Sequence, residues 1–373
     1  MTKKRIVPDA KDLEIVMTLD KAKSRISTKE IGRALKLPSR TVRYRLRRLK
    51  NKGVLGPSFV VTHERRIGLG ENLLIVQEAS MRERQLIGVI EQIPAFYSYT
   101  TTYGKFNGYL LRSVFSLVTP DPSIKLLHLL QKKGIVLDFR RFEVIDYHLK
   151  EMNLSFYHPE RGWTWDWKKW TDRIEDTLRS DCRPEFTIEH ECSIAGFDFK
   201  DIQILKRMTQ NAGITAKELG RVLSMSESQV GKRIQRLEKA KIIKGYKSVF
   251  NPKPMEELVS FFFFLEAKKN ADQILFCLSK LPFAIDFLME SKNHFCIRSR
   301  LSPADFNAFL LGVDKFRPHL NSFFLQLVHD QQFNRAPQVY DLFRKEGAYW
   351  ETPVDEYVAK AESVLEGSEQ TRE

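Results

Sequence analysis

The sequence has no hydrophobic run long enough to cross a membrane. Its longest apolar stretch, residues 258–265, is far shorter than the roughly 20 residues that a transmembrane helix needs, so we expect no membrane partner. No apolar segment follows the basic start of the chain, which argues against a secretory signal. The four cysteines form no C-x-x-C pair. A disulfide scaffold or zinc ribbon is therefore not expected, and a cytoplasmic location fits.

Histidine is scarce and dispersed along the chain. Apart from a weak His190-x-Cys192 pair, the eight histidines include no two at the spacing that metal ligands or acid–base partners use. We therefore predict no metal site and no cofactor, and we predict that the chain is not an enzyme.

Positive charge is concentrated in two short segments. The chain carries 61 lysines and arginines against 47 acidic residues, a formal net charge of +14. Residues 1–66 hold 19 of these cations and six acidic residues, and residues 199–250 hold 12 cations and four acidic residues. The remainder is therefore mildly acidic. Two basic modules in such a chain are typical of a protein that presents both of them to nucleic acid.

The sequence repeats itself at an offset of 188 residues. Residues 26–56 align without a gap on residues 214–244, and the same offset continues to the pair Pro94 and Pro282. Because the offset is constant and close to half of the 373-residue length, it indicates a unit that was duplicated and fused.

The first part of each unit predicts a winged helix-turn-helix domain. Ser27-Thr28-Lys29-Glu30 has the capping-box pattern that opens a second helix. Val42, Leu46 and Leu49 give the third helix one buried face, and two short strands follow Gly53.

The second part predicts a ferredoxin-like fold with the order β-α-β-β-α-β. Its elements are expected at residues 73–79, 82–93, 96–102, 108–118, 123–133 and 135–147, and in the second copy at 258–267, 271–281, 284–290, 294–300, 303–316 and 322–331. The fold class is therefore α+β, with two winged helix-turn-helix domains alternating with two ferredoxin-like domains. The predicted boundaries are 1–66, 67–150, 199–254 and 255–332, with an aromatic-rich linker at 151–198 and a C-terminal tail at 333–373.

Four tryptophans lie within eight residues of the linker, at Trp163, Trp165, Trp167 and Trp170. Such a cluster can stack on unpaired bases. It can equally hold a connecting segment against a sheet or a partner, and we favour this second interpretation.

The third helix of the first unit has the pattern of a recognition helix. It holds five arginines and no acidic residue, which would repel one another without a counter-charge. In a helix-turn-helix this helix enters the major groove, where arginine pairs with guanine. We predict base contacts from Arg40, Thr41, Arg43, Tyr44 and Arg47, and phosphate contacts from Arg45, Arg48, Lys50 and Lys52.

The corresponding helix of the second unit is less basic, because Glu227 and Glu238 dilute its charge. Its predicted base contacts are Ser228, Gln229 and Lys232, and its predicted phosphate contacts are Arg233 and Arg236. The two reading faces share almost nothing, so a double-stranded DNA target bound by both would be asymmetric.

Residues 202–252 resemble the Lrp/AsnC family of prokaryotic transcription regulators. The matching motifs are Ile214-Thr215, Val230-x-x-Arg233-Ile234-x-Arg236-Leu237-Glu238, Ile242-Ile243-x-Gly245-Tyr246 and Asn251-Pro252. The first copy is similar but has Gly56-Pro57-Ser58 in its wing, and the ferredoxin-like parts resemble the family's ligand-sensing domain. The resemblance implies a sequence-specific DNA-binding transcription regulator, here tandem-duplicated.

The same resemblance implies dimerisation through the ferredoxin-like domains, often with a small effector such as an amino acid. The family's glycine-containing turn is matched loosely by Gly104, Phe106 and Asn107, and these are the candidate effector-binding residues. The second copy has lost the glycine. The dimer is either a homodimer or an internal pseudo-dimer, joined by strand pairing between the two sheets.

Two alternatives remain open. The tandem arrangement also resembles siroheme decarboxylases, which place histidine on the second strand of the ferredoxin-like domain. This chain has Tyr97, Tyr99, Asp286 and Phe287 there, which argues against that enzyme. The other alternative is an architectural DNA-binding protein without an effector.

Overall fold

The first domain is a winged helix-turn-helix, as predicted, but the two predicted wing strands are one continuous strand that pairs with a strand of the second half. The computed structural model describes residues 7–21, 26–189, 191–329 and 333–370. The elements of this domain are α1 (Ala10–Lys21), α2 (Thr28–Ala34), α3 (Ser39–Asn51) and β1 (Leu55–Thr62). The predicted capping box is formed: the Ser27 hydroxyl accepts the Glu30 N–H at 3.2 Å, and the Glu30 carboxylate accepts the Ser27 N–H at 2.8 Å.

The first ferredoxin-like domain follows in the predicted order. Its elements are β2 (Leu69–Glu78), α4 (Glu83–Gln92), β3 (Phe96–Gly104), β4 (Gly108–Ser116), α5 (Pro122–Lys132), β5 (Val136–Val144) and β6 (Asp146–Lys150). The predicted linker is not a loop. It contains β7 (Tyr157–His158), β8 (Gly162–Trp163) and α6 (Trp167–Arg179).

The second half repeats this order. Its winged helix-turn-helix comprises α7 (Phe199–Gln210), α8 (Ala216–Leu223), α9 (Glu227–Lys239) and β9 (Ile243–Phe250). Its ferredoxin-like domain comprises β10 (Val259–Ala267), α10 (Ala271–Ser279), β11 (Ile285–Met289), β12 (His294–Leu301), α11 (Pro303–Val313), β13 (Leu320–Val328) and β14 (Phe333–Asn334). Its tail is also folded, as β15 (Phe343–Arg344), β16 (Tyr349–Trp350) and α12 (Val354–Gln370).

Strand pairing joins the two halves into one closed sheet. The strand order is β5-β2-β4-β3-β13-β10-β12-β11-β6, and β14 also pairs with β3. Only Ile145 separates β5 from β6, so the two ends of this path meet in the chain and the sheet closes on itself. The last strand of each ferredoxin-like domain therefore begins in its own half and continues into the other half.

The inside of this barrel is aromatic at one end. Inside the closed sheet, a buried cluster contains Phe106, Phe142, Phe262, Phe264 and Phe324. The outer faces of the sheets are covered by the helices of the ferredoxin-like domains, which make two further cores. The closed sheet is thus packed by the aromatic cluster on its inner face and by helices on its outer face.

Each tail crosses to the opposite half. Helix α6 of the first half packs on α10 and α11, whereas α12 of the second half packs on α4 and α5. The Trp167 indole N–H donates to Asp305 Oδ1 at 2.9 Å, and the Trp170 indole N–H donates to the carbonyl of Cys277 at 3.0 Å. The tryptophans therefore hold the tail against the second domain, as favoured above.

We predict that Trp170→Ala destabilises the protein by about 3–5 kcal/mol, because a 6% exposed indole in a close-packed core would leave a cavity. The measurement is urea unfolding followed by circular dichroism. Lys168→Ala removes an exposed side chain from the same helix and is the matched control. Equal midpoints for the two variants would contradict the packing role of Trp170.

Candidate nucleic-acid interface and central cavity

Helix α3 turns one face inward and leaves a basic face in solvent. Val42 and Leu49 are fully buried against the other helices of the domain. The exposed residues of the helix include Arg40, Arg43, Tyr44 and Arg47, whereas Thr41 is half-buried. Of the predicted phosphate contacts, Lys50 and Lys52 are also exposed.

The two remaining arginines of α3 have a different role. Arg45 Nη1 lies 2.9 Å from Asp12 Oδ1 and 2.7 Å from Asp9 Oδ2, and Arg48 also pairs with Asp12. The Asp12 side chain is completely buried. These ion pairs hold α3 against α1, so we assign Arg45 and Arg48 to the domain's own structure and not to phosphate contacts.

The second domain repeats this network. Arg233 Nη1 lies 2.9 Å from Asp201 Oδ1 and 2.8 Å from Asp198 Oδ2, and Arg236 also pairs with the buried Asp201. Arg233 thus has the same structural role as Arg45, whereas the Arg236 side chain is 52% exposed and its phosphate contact stays a prediction. The signal was present in the sequence as two aspartates, three residues apart, at the start of the first helix of each unit.

The residues of α9 that are predicted to contact bases differ in whether their side chains are free to reach DNA. Ser228 and Lys232 are exposed. The Gln229 side-chain oxygen accepts the Ser226 N–H at 2.9 Å, and the Gln229 backbone N–H donates to the Ser226 hydroxyl at 3.1 Å. Because a bidentate contact to adenine needs this oxygen, the capping box competes with the predicted base contact of Gln229.

The wings of the two domains form one ribbon. Strands β1 and β9 pair antiparallel, with Val60 opposite Tyr246. The Ala212 N–H donates to the carbonyl of Ser58 at 2.9 Å, so the second domain also binds the wing of the first. The shared ribbon fixes the two recognition helices relative to each other.

The Gln326 side chain of the second half occupies the predicted effector-binding loop. The Gln326 side-chain oxygen accepts the Phe106 N–H at 3.1 Å, and its amide donates to the carbonyl of Phe106 at 2.8 Å. At Gly104, with φ +146°, an added Cβ would lie 2.4 Å from the carbonyl oxygen of Leu325. Asn107 accepts the Gly104 N–H at 3.2 Å. Gly104 and Phe106 therefore contact the second half, and Asn107 closes the turn between them, so the protein itself occupies the predicted effector loop.

A cavity of about 370 Å³ lies between the wing ribbon and the barrel. Its lining combines apolar residues, among them Phe59, Trp163, Phe250 and Phe283, with several cations. The charged residues of its lining are Lys247, Lys253, Arg298, Arg300, Asp286 and Glu151. A smaller cavity of about 50 Å³ continues into the barrel and shares Arg298 and Arg300 with the larger one.

Arginines converge at the entrance of the barrel. Arg298 and Arg300 are two residues apart on β12 and so lie on the same face of the sheet. Arg112 of β4 lines the smaller cavity with them. Burial, opposed by Asp286 and reinforced by the neighbouring arginines, lowers the pKa of Arg298 to about 10. Lys247 Nζ lies 3.3 Å from Asp286 Oδ1.

The corresponding region of the first half is filled by acidic and phenolic groups. Arg112 donates from Nε to Glu71 Oε1 at 2.9 Å, and the Tyr97 hydroxyl donates to the same oxygen at 2.6 Å. Burial, reinforced by Glu71, raises the pKa of Glu64 beside them to about 7. The two halves therefore differ where the cavity lies.

Within the described residues, no three His, Cys, Asp or Glu side chains are grouped so that they could hold a metal ion. His190 of the weak sequence pair lies outside them. Among the same residues, no helix combines the length and apolar character that crossing a membrane requires.

Comparison with known families identifies both basic modules. The profile of the winged helix-turn-helix DNA-binding family matches residues 8–55 and 198–244. A 59-residue segment, 16% of the chain, is 42% identical to the uncharacterized HTH-type transcriptional regulator PH0045 of Pyrococcus horikoshii. The match spans only 38% of that regulator's length.

The whole chain has the fold of an enzyme. Siroheme decarboxylase NirDL aligns over 95% of this chain and 99% of its own, with a TM-score of 0.58 and 9% identity. The AsnC-family regulator PF0864 of Pyrococcus furiosus aligns over 37% of the chain and 90% of its own, at 15% identity and a TM-score of 0.27. This finding overturns the prediction that the chain is not an enzyme, because the fold aligned over 95% of the chain is one that a decarboxylase also has.

We predict that Asp12→Ala destabilises the first domain by about 2–3 kcal/mol, because Arg45 and Arg48 lose a buried carboxylate. Differential scanning calorimetry measures the change. Glu14→Ala removes an exposed carboxylate from the same helix and serves as the control. A comparable loss in the control would refute the specific role of Asp12.

The winged helix-turn-helix profile matches twice, and each match precedes a ferredoxin-like domain with the same element order. One barrel and one wing ribbon join the two copies. The chain is a tandem duplication of a unit that joins one winged helix-turn-helix domain to one ferredoxin-like domain.

Proposed function

We propose that the chain is a transcription regulator whose first winged helix-turn-helix domain reads double-stranded DNA. The observation that carries this proposal is the exposed face of α3. Arg40, Arg43 and Arg47 stay in solvent beside Tyr44, whereas the other two arginines of the helix are paired internally. Exposed arginines at this position of a helix-turn-helix are suited to guanine and phosphate contacts.

The second domain contributes less to recognition in this proposal. Ser228 and Lys232 are exposed on α9, but Glu227 and Glu238 lie on the same helix and oppose the DNA charge. The wing ribbon presents both domains as an internal pseudo-dimer. Because their reading faces differ, we infer an asymmetric operator.

Arg43→Ala and Arg47→Ala are each expected to weaken binding to the operator by about 1–3 kcal/mol, with a smaller effect on random DNA, if they read bases. The operator is first obtained by selecting bound fragments from genomic DNA, and affinities are then measured by fluorescence anisotropy at several salt concentrations. Lys132→Ala removes an exposed cation from α5 and controls for net charge. Equal losses on operator and random DNA would remove the claim of base reading.

Catalysis on a carboxylate-rich macrocycle is a second candidate function. NirDL, which shares the fold of the whole chain, is also described in complex with an iron-uroporphyrin III analogue. The observation that favours this candidate here is the set of cations in the lining of the larger cavity, where Lys247 and Arg298 could pair with carboxylates. A decarboxylase replaces a carboxylate by a proton and releases carbon dioxide.

Incubation with siroheme in the absence of oxygen, followed by mass spectrometry, tests this candidate. If the chain is a decarboxylase, the product loses one carbon dioxide for each carboxylate removed, and Arg298→Met slows the reaction because the substrate loses a charged partner. The Lys132→Ala protein again serves as the control. Siroheme that binds but stays unchanged would exclude the activity.

A further inference from the structure

We propose that Glu64 keeps a proton in the folded protein until the pH is close to neutral, and that the loss of this proton loosens the joint between the wing ribbon and the barrel. Glu64 begins the short helical turn Glu64–Ile67, which connects β1 of the ribbon to β2 of the barrel. Such a joint operates equally in either of the functions proposed above.

The carboxylate nearest to Glu64 is already paired. Arg112 Nε donates to Glu71 Oε1 at 2.9 Å, and the Tyr97 hydroxyl donates to the same oxygen at 2.6 Å. Arg112 is also the cation that attracts Glu64, whereas Glu71 repels it. One guanidinium thus stands against two carboxyl groups, and an ionised Glu64 would give this cluster an excess of negative charge.

Three phenols face the same carboxyl group. They are Tyr97 of β3, Tyr147 of β6 and Tyr340 of the second tail, and each interacts electrostatically with Glu64. Burial raises the pKa of all three phenols above the ordinary value of 10.0, so they stay uncharged near neutral pH. The surroundings of Glu64 therefore favour its neutral form.

Hydrogen bonds connect Glu64 to the end of the wing ribbon. The Thr62 hydroxyl donates to Glu64 Oε1 at 2.5 Å, and Thr62 Oγ1 lies 3.2 Å from the Tyr340 hydroxyl. The Tyr147 hydroxyl donates to the carbonyl of Thr62. Because Thr62 is the last residue of β1, the ribbon, the barrel and the second tail meet at this point.

Ionisation of Glu64 has a structural outlet. The residue is half-buried, so its carboxylate can turn towards water. The turn relieves the repulsion from Glu71, but it gives up the contact with the Thr62 hydroxyl. The end of β1 then loses one of the groups that hold it.

Strand register confines this arrangement to the first half. Glu71 lies on β2, two residues before the residue that pairs with Arg112. On β10, the residue two places before the partner of Arg298 is Ser260. A serine hydroxyl does not repel a carboxylate, so the proton-dependent joint belongs to the first winged helix-turn-helix domain and not to both.

The direction of the pH effect follows from the two states of the joint. In an opened joint Glu64 has the ordinary carboxyl pKa of 4.5, whereas in the closed joint burial and Glu71 raise its pKa to about 7. Between these values the closed state holds a proton that the open state has released, so rising pH favours opening by up to about tenfold per pH unit. Below the lower and above the upper value this contribution is constant.

The first test compares amide hydrogen exchange in the full-length wild type and in Glu64→Gln, whose side chain is neutral at every pH. In residues 55–78 we expect the ratio of the wild-type to the variant exchange rate to grow about tenfold or more between about pH 5 and about pH 8. The intrinsic pH dependence of exchange cancels in this ratio. Glu14→Gln removes an exposed carboxylate from the first domain and should leave its own ratio constant. A constant ratio for Glu64→Gln, or equal growth for Glu14→Gln, would overturn the inference.

Infrared difference spectroscopy detects the proton itself. Between about pH 6 and about pH 8 the wild type should lose the carbonyl band of a protonated carboxylic acid, and the part of this band that belongs to one carboxyl group should be missing in Glu64→Gln. Glu71→Gln leaves Arg112 to Glu64, so the same part should be missing at about pH 6 although Glu64 is present. A band that is unchanged in either variant would contradict the proposed proton on Glu64.

Discussion

Everything in this molecule depends on the exchange of strands between its two halves. Each ferredoxin-like domain sends its last strand across to pair with the other domain, and the sheet closes into a barrel as a result. Closure removes the free edges that an open sheet would present. It also brings Arg112 of one half and Arg298 of the other to the same small cavity, although they are far apart in sequence. The wing ribbon repeats the principle on a smaller scale, so neither DNA-binding domain is attached to its own half alone.

The sequence was sufficient for the order of the elements. Helix caps such as the one at Ser27, apolar spacing and the constant offset predicted both winged helix-turn-helix domains and both β-α-β-β-α-β domains, because these signals are local or follow from the repeat. The sequence predicted strand pairing between the two ferredoxin-like domains, but it did not predict that this pairing closes the sheet into a barrel. The tails were predicted as a linker and an end segment, yet both fold, because α6 and α12 are stabilised by packing on the distant half of the chain.

The candidate sites were harder to predict than the fold. Arginines on one helix look alike in sequence, and only the position of the buried Asp12 separates Arg45 and Arg48 from the exposed arginines beside them. The loop at Gly104 matched the motif of an effector site, but its partner is Gln326, which lies more than 200 residues away. The central cavity gave no sequence signal, because its walls come from the ribbon, the barrel and the first tail. A fold shared with an enzyme, in a chain that also matches the winged helix-turn-helix profile twice, leaves function to such sites.

The crossed tails have a consequence for how the halves could exist apart. If the polypeptide were divided in the stretch between α6 and α7, the first fragment would keep the helix that covers its neighbour, and the second would keep the helix that covers the first. In each fragment, the two helices of the ferredoxin-like domain would lose the tail helix that packs on them. Each fragment would also carry a tail helix whose packing partners are in the other fragment. Two such fragments are complementary by construction, so a split gene would still specify one particle, assembled from two unlike polypeptides.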